Sequence, residues 1–407
     1  MFSVVSLCLL VCACALALHA LGAFATMRQR ARSHHGNAAP TTFPPLTLLK
    51  PIKGLEEELE KNLRSFFEQR YPAALSFVFS STERDDPGMV VARRVARQYP
   101  EHHAEFIVAD PSFGNNPKVS NLAAALCAGE HDLVLQTDAN VRLRPGYLSA
   151  VTSEFLSERA NLLGALVAGS GERSWGAALE NVQLNTFITP GICLAYRVFK
   201  IPCVIGKSIM FRRSELNELG GLATVKDVLA EDFVLGQVYL RAGKRVALSS
   251  LTVDNVNTRT TVRRFADRHT RWLQMRAVVH APGFVADLLS NAPLLALIAA
   301  AWSGELRYWL LYLGVVVYKA SVDAWLLAQV RVTPLPPSYW PAFALRDLLQ
   351  PLIWLQALVS RTTEWRGQRF KLTRGSHLIA LPPKGVSALG PSSSSPSHTP
   401  PPVEHRS

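Results

Sequence analysis

His131-Asp132-Leu133-Val134-Leu135-Gln136-Thr137-Asp138-Ala139-Asn140 is the stretch that decides the fold. Leu133, Val134 and Leu135 form a short apolar run, the pattern of a strand buried on both faces of an α/β sheet. The run ends in small polar residues, so the chain leaves the core there. Ligand sites in open α/β sheets lie at the carboxyl ends of strands. Asp138 therefore stands where a carboxylate can meet a divalent cation carrying a phosphate. Taken alone, it also reads as the cap of the next turn.

Working outward, the same alternation recurs. Leu46-Thr47-Leu48-Leu49, Leu75 to Ser80, Glu105 to Val108 and Leu162 to Val167 read as further strands. Leu55, Leu59, Leu63, Phe66 and Phe67 recur at helical spacing, and Pro87 to Gln98, Trp175 to Leu184 and Val228 to Leu240 also read as helices. Strands alternating with helices predict a mainly parallel, Rossmann-like sheet with helices on both faces. No G-x-G-x-x-G follows the first strand, so a dinucleotide site is unsupported. Gly206-Lys207-Ser208 has the ending of a phosphate-binding loop, but Ile201 occupies the position of its first glycine. We discount it as a nucleotide-hydrolysis signal.

The ends of the chain have another character. Hydrophobic residues make up 48% of the 407 residues and the net charge is +12; mean hydropathy is +0.12. Val4 to Phe24 carries no Asp, Glu, Lys or Arg, and roughly 20 such residues suffice to cross a bilayer. Arg28, Arg30 and Arg32 follow it, which predicts an uncleaved signal anchor with everything after it in the cytosol. Phe284 to Trp302, Trp309 to Leu327 and Phe343 to Val359 are three more apolar segments. The last carries Arg346 and Asp347 and reads as interfacial or re-entrant. That leaves two spans, so the basic cluster at Arg366, Arg369, Lys371 and Arg374 returns to the side of Arg28. Thr261 to His280 is basic and amphipathic, and Phe265, Trp272 and Met275 share a face. This predicts a helix on the membrane surface. Basic residues beside apolar spans suit anionic lipid headgroups; nucleic acid would call for interleaved exposed aromatics. The six cysteines show no metal-ligand spacing and predict no disulfide framework. The chain thus divides into an anchor (1–27), a linker (28–45), a catalytic domain (46–282), membrane segments (283–360), a basic cytosolic segment (361–384) and a disordered Pro/Ser-rich tail (385–407).

Four features line up in order: Asp85-Asp86-Pro87 and Asp138-Ala139-Asn140 after strands, Glu231-Asp232 opening a helix, and Arg268-His269-Thr270-Arg271-Trp272 before membrane segments. The order resembles the D, D, D, (Q/R)-x-x-R-W pattern of family-two membrane glycosyltransferases. Leu48-Leu49-Lys50-Pro51-Ile52-Lys53-Gly54, Asn116-Pro117-Lys118-Val119-Ser120-Asn121-Leu122, Ala230-Glu231-Asp232-Phe233 and Trp365-Arg366-Gly367 are similar to the ceramide glucosyltransferase branch. The resemblance covers roughly residues 46 to 375.

It implies a GT-A fold, a UDP-sugar donor, expected to be UDP-glucose, and a lipid acceptor such as ceramide. It places Asp86 near the uracil or ribose, Asp138 on Mg²⁺ or Mn²⁺ bridging the diphosphate, and Lys118 on a phosphate. Asp232 becomes the general base of an inverting attack. Arg268, Arg271 and Trp272 close the site, Arg271 toward the diphosphate and Trp272 toward the acceptor. Two positions depart from the pattern: Asn140 replaces the second carboxylate of a D-x-D, and Thr186-Phe187-Ile188-Thr189-Pro190 lacks the histidine of a Ser-His-Pro segment. Other readings are transfer of another UDP-sugar, such as GlcNAc, to a hopanoid or diacylglycerol, and a non-catalytic membrane scaffold. The scaffold would be expected to lose Asp138 or Asp232, and both are present.

Overall fold

A computed structural model describes residues 3–32, 42–365 and 368–382. The tail from 385 onward, Arg366 and Gly367 lie outside the described residues. In chain order the N-terminal elements are helix α1 (Val4–Ala31), strand β1 (Leu46–Pro51), α2 (Leu59–Phe67), β2 (Leu75–Ser81), α3 (Pro87–Ala96), β3 (His103–Val108), α4 (Pro117–Ala128), β4 (Leu133–Thr137), β5 (Val141–Arg142), α5 (Tyr147–Ser157) and β6 (Leu162–Ser170). There follow α6 (Trp175–Gln183), α7 (Thr189–Arg197), β7 (Ser208–Arg212), α8 (Arg213–Glu218), α9 (Glu231–Arg241), β8 (Val246–Val256) and α10 (Val262–Val279). The chain continues through α11 (Ala281–Leu289), α12 (Ala292–Ser303), α13 (Leu306–Val330) and α14 (Ala342–Val359) to β9 (Thr362–Trp365), β10 (Gln368–Leu372) and β11 (Leu378–Leu381).

Eight strands form one sheet in the order β3-β2-β1-β4-β7-β6-β8-β5. The β3-β2-β1-β4 half is parallel, in keeping with the alternating pattern. β7 is antiparallel to both β4 and β6. Both faces are covered, as the apolar run of β4 requires. Leu133 and Leu135 pack with Phe66, Phe77 and Phe155 on one side, and Val134 packs with Leu122, Phe211 and Tyr239 on the other. Burying each of these side chains contributes about 1.5–3 kcal/mol. They hold the carboxyl ends of β1, β2 and β4 at one rim, where Lys50, Asp86 and Asp138 stand.

α1 and α13 are long and apolar enough to cross a membrane, and α11 with α12 forms a pair bent by 56°. One expectation from the sequence changes here. The helix over 261–280 forms, but Phe265 is fully buried among Leu179, Phe284, Phe343 and Ile353. α10 is therefore packed between α6 and α14, and the expected apolar face does not present Phe265 to lipid. The described residues of the basic segment, 361–365 and 368–382, form a small sheet. Its three strands pack Phe370, Leu372 and Leu378 against Leu229 of the catalytic domain.

Candidate active site

The rim begins with Lys50, completely enclosed. Its ammonium donates to the Asp138 carbonyl at 2.9 Å and to Thr137 Oγ1 at 3.2 Å, and it lies 3.5 Å from the centre of the Phe66 ring. Burial pushes its pKa well below the usual lysine value. The side chain fixes where β4 ends and so where Asp138 points.

Asp138 projects into a group of alternating charges. Lys118 Nζ is 3.0 Å from one carboxylate oxygen and Lys207 Nζ 2.9 Å from the other. Lys118 also reaches Glu231 at 2.8 Å, and Lys207 donates to Asn140 Oδ1 at 3.0 Å. Burial opposes ionisation of Asp138, but the two ammoniums prevail and hold its pKa well below the carboxylate range. Lys118 responds in the opposite sense: burial disfavours its charge, yet Asp138, Glu231 and Asp232 raise its pKa. The Asn-Pro at Asn116-Pro117 explains how Lys118 is aimed. Asn116 Oδ1 accepts from the backbone N–H of Lys118 and of Val119, capping α4 with proline in the first turn.

Asp232 opens α9 behind this group. Its carboxylate accepts from the backbone N–H of Gly206 at 2.6 Å and of Phe233 at 2.8 Å. Burial, then neighbouring Glu231, push its pKa up to about 6, against the pull of Lys118 and the two N–H groups. A carboxylate of this kind is matched to taking a proton near neutral pH. A Cβ on Gly206 would stand 2.7 Å from Lys118 Nζ and 3.2 Å from Asp232 Oδ2, so only glycine permits this approach. Gly206-Lys207, set aside as a hydrolysis motif, therefore supplies both a donor to Asp232 and a cation to Asp138. Its glycine-lysine pairing was the only sequence signal.

The turn carrying Glu231 and Asp232 is clamped from two sides. Asn116 Nδ2 donates to the Val228 carbonyl at 2.6 Å, and Asn115 N–H to Asp227 at 2.8 Å. From the C-terminal sheet, Ser376 accepts from the N–H groups of Leu229 (carbonyl, 2.9 Å) and Ala230 (hydroxyl, 3.1 Å). Leu378 N–H closes the clamp on the Asp227 carbonyl at 2.8 Å.

Asp86 stands at the same rim, after β2. It is buried, and its oxygens accept from Gly54 N–H, Gly88 N–H and Ser81 Oγ at 2.8 to 3.2 Å. Here it caps α3 and pins the Lys50–Gly54 turn. Arg268 lies 3.1 Å from Glu180, and His269 lies 3.3 Å from the other oxygen of the same carboxylate. Glu180 is fully enclosed; burial disfavours its charge, but the two partners hold its pKa down at about 2. It was invisible in the sequence, where a lone Glu on a helix reads as surface. Arg271 and Trp272 are half-buried, and the Trp272 ring meets the His269 ring edge-on at 5.1 Å. Burial raises the pKa of the Cys203 thiol. Thr186 and Thr189, in the segment that lacks the histidine, are buried and donate to the Val182 and Val167 carbonyls.

A half-parallel sheet with an acidic and lysine-lined rim, followed by helices apolar enough to cross a membrane, defines the chain as a GT-A glycosyltransferase. It belongs to glycosyl transferase family 21, whose sequence model matches residues 7–378. Ceramide glucosyltransferase 3 of Caenorhabditis elegans is 27% identical over 362 residues, covering 87% of this chain and 78% of that protein. Ceramide glucosyltransferase of Komagataella phaffii is 32% identical over 199 residues, covering 44% and 39%. Among solved structures, a mannosyltransferase from Pyrobaculum calidifontis in complex with GDP-Man and Mn²⁺ is 19% identical, covers 83% of this chain and 99% of that one, and has a TM-score of 0.49.

Proposed function

We propose that this protein transfers glucose from UDP-glucose to a hydroxyl of ceramide, with inversion at the anomeric carbon. The observation that carries the chemistry is Asp232, a half-buried carboxylate of raised pKa whose neighbour Glu231 is paired with Lys118, which in turn is paired with Asp138. The names of the relatives supply the donor sugar and the lipid. In this reading the acceptor hydroxyl attacks the anomeric carbon as its proton passes to Asp232. The new C–O bond forms as the bond to UDP breaks, and the electron pair leaves on the diphosphate. Lys118 and Lys207 face that growing negative charge from fixed positions, where a cation stabilises the transition state most. Arg271 supports the diphosphate and Trp272 the acceptor side.

The residues fit a divalent cation. Asp138 stays ionised, and the neighbouring Asn140 side chain offers an oxygen, an all-oxygen set with few protein ligands. Mg²⁺ or Mn²⁺ is held in this way, by one or two carboxylates together with phosphates and water. When bound, the ion adds Lewis-acid charge at the leaving diphosphate. We place the catalytic domain on the cytosolic side, because Arg28, Arg30 and Arg32 end α1 and Arg369, Lys371 and Arg374 follow α14.

The test is direct. Membranes containing the protein are given UDP-glucose or UDP-GlcNAc with ceramide, a hopanoid or diacylglycerol, and the products are identified by mass. Hexosylceramide from UDP-glucose alone is the expected result; product only with another donor or lipid refutes the assignment.

A further inference from the structure

By length and composition α14 could cross a bilayer. Its anchoring tells otherwise. The segment leading into it is tied to the catalytic domain by the buried Arg331–Glu172 pair at 2.8 Å and by Tyr339 packed edge-on against Trp175. The segment leaving it is tied to the same domain, because Gln274 of α10 donates to the carbonyls of Ser360 at 2.8 Å and Thr362 at 3.3 Å. Between these ends, Arg346 donates to Gln183 of α6 and Thr270 of α10 to Gln356. A spanning helix would separate its ends by the hydrocarbon thickness of about 30 Å. Here both ends and the middle meet α6, α10 and the loops beside them.

The faces of α14 are inverted relative to a helix in water. Arg346, Asp347 and Gln350 point inward and are buried. Leu348, Leu352, Leu355 and Leu358 point outward and are 48%, 63%, 52% and 52% exposed. Their spacing of four, three and three residues makes one stripe. α13 likewise exposes apolar residues, among them Leu310, Leu313, Val317 and Trp325. The inner face also gives the depth. Arg346 meets Asp323 at 3.1 Å and Asp347 meets Lys319 at 3.1 Å. Asp323 and Lys319 precede the end of α13 at Val330, by roughly 10 and 16 Å at 1.5 Å per residue. With Val330 at the interface, that puts Asp323 inside the near leaflet and Lys319 close to the bilayer midplane, half of about 30 Å down.

We propose that α14 lies in the plane of the bilayer, with its leucine stripe embedded in the acyl chains of the leaflet nearest the catalytic domain. α10, which carries Arg268, Arg271 and Trp272, is then held directly over that leaflet. This goes beyond the proposed reaction and does not depend on which sugar or lipid is used.

The test uses the full chain in sealed membrane vesicles of both orientations, with an impermeant maleimide and peptide mass mapping. Cys127, exposed on α4, reports the side of the catalytic domain. Glu305→Cys, on the turn between α12 and α13, reports the far side. Ser338→Cys and Arg361→Cys flank α14 at exposed positions. Both are expected to react from the same side as Cys127, and Glu305→Cys from the other. Leu352→Cys is expected to resist the reagent from either side until detergent is added. Labelling of 338 and 361 from opposite sides makes α14 a span and overturns the proposal. Ready labelling of Leu352→Cys in intact vesicles places the stripe in water and overturns it equally.

Discussion

Replacing Asp232 by Asn removes the base while leaving the shape of the side chain nearly unchanged. If the base contributes what a positioned carboxylate usually does, transfer falls by roughly 10²–10⁴-fold. At about 1.4 kcal/mol per decade that is about 3–5.5 kcal/mol of barrier. The environment adds detail. Two backbone donors, Gly206 and Phe233 N–H, point at the carboxylate. An amide can accept from one but must turn its NH₂ toward the other, at a cost of about 1–3 kcal/mol for an unsatisfied buried group. The fold is expected to withstand this, since the turn stays clamped by Asn116, Ser376 and Leu378. Donor binding should hold or tighten, because the loss of one negative charge leaves Lys118 freer for the diphosphate. The assay is single-turnover transfer from radiolabelled UDP-glucose, with UDP binding measured separately. In the unmodified enzyme the rate should also fall as pH drops through about 6, since the base works only when deprotonated and its pKa is raised to about 6. Asp232→Asn should abolish that acid limb. A variant that loses donor affinity but keeps its single-turnover rate would refute the assignment.

Asp138→Ala should abolish transfer and weaken metal-dependent donor binding, since Lys118 and Lys207 lose their shared anion; near-normal turnover at saturating metal would sink the metal role. Gly206→Ala should leave a folded protein with transfer cut by at least about tenfold, about 1.4 kcal/mol, because the new methyl displaces Lys118 or Asp232; unchanged steady-state rates would show that the close approach is dispensable. Glu180→Gln leaves Arg268 beside a neutral partner and should cost about 3–5 kcal/mol of stability, as breaking a buried pair does; thermal unfolding in detergent measures it. The folded pKa of Glu180 is depressed to about 2 from 4.5. Its stabilisation is therefore complete above about 4.5 and lost as pH falls toward 2, and the variant should flatten the melting temperature across that window.

The rim was legible because its cues are local. A buried apolar run followed by Asp138, and an acidic pair opening a helix at Asp232, are visible within ten residues. The order of the four motifs then predicted the fold and the base. What remained hidden depends on residues distant in the chain. Phe265 looked lipid-facing because periodicity defines a face without naming its partner, and α6 and α14 cover that face. Glu180 carried no cue, because nothing near it in sequence reveals Arg268. Lys207 was set aside because a motif built for one loop shape was tested, whereas here the lysine works from the turn before β7. Strand β8 escaped altogether: Ser249, Ser250, Asp254 and Asn255 break its apolar pattern, and their burial is satisfied by distant groups such as Glu154 and Arg144.

The clamp formed by Ser376 and Leu378 has a consequence for how the protein is made. Asp232 leaves the ribosome well before the segment that holds its turn in place. Until that segment docks, the turn carrying Asp232 is held from the Asn115 and Asn116 side alone. A chain clipped before Thr373 is therefore expected to keep the rim of β1, β2 and β4 while its base is less firmly placed.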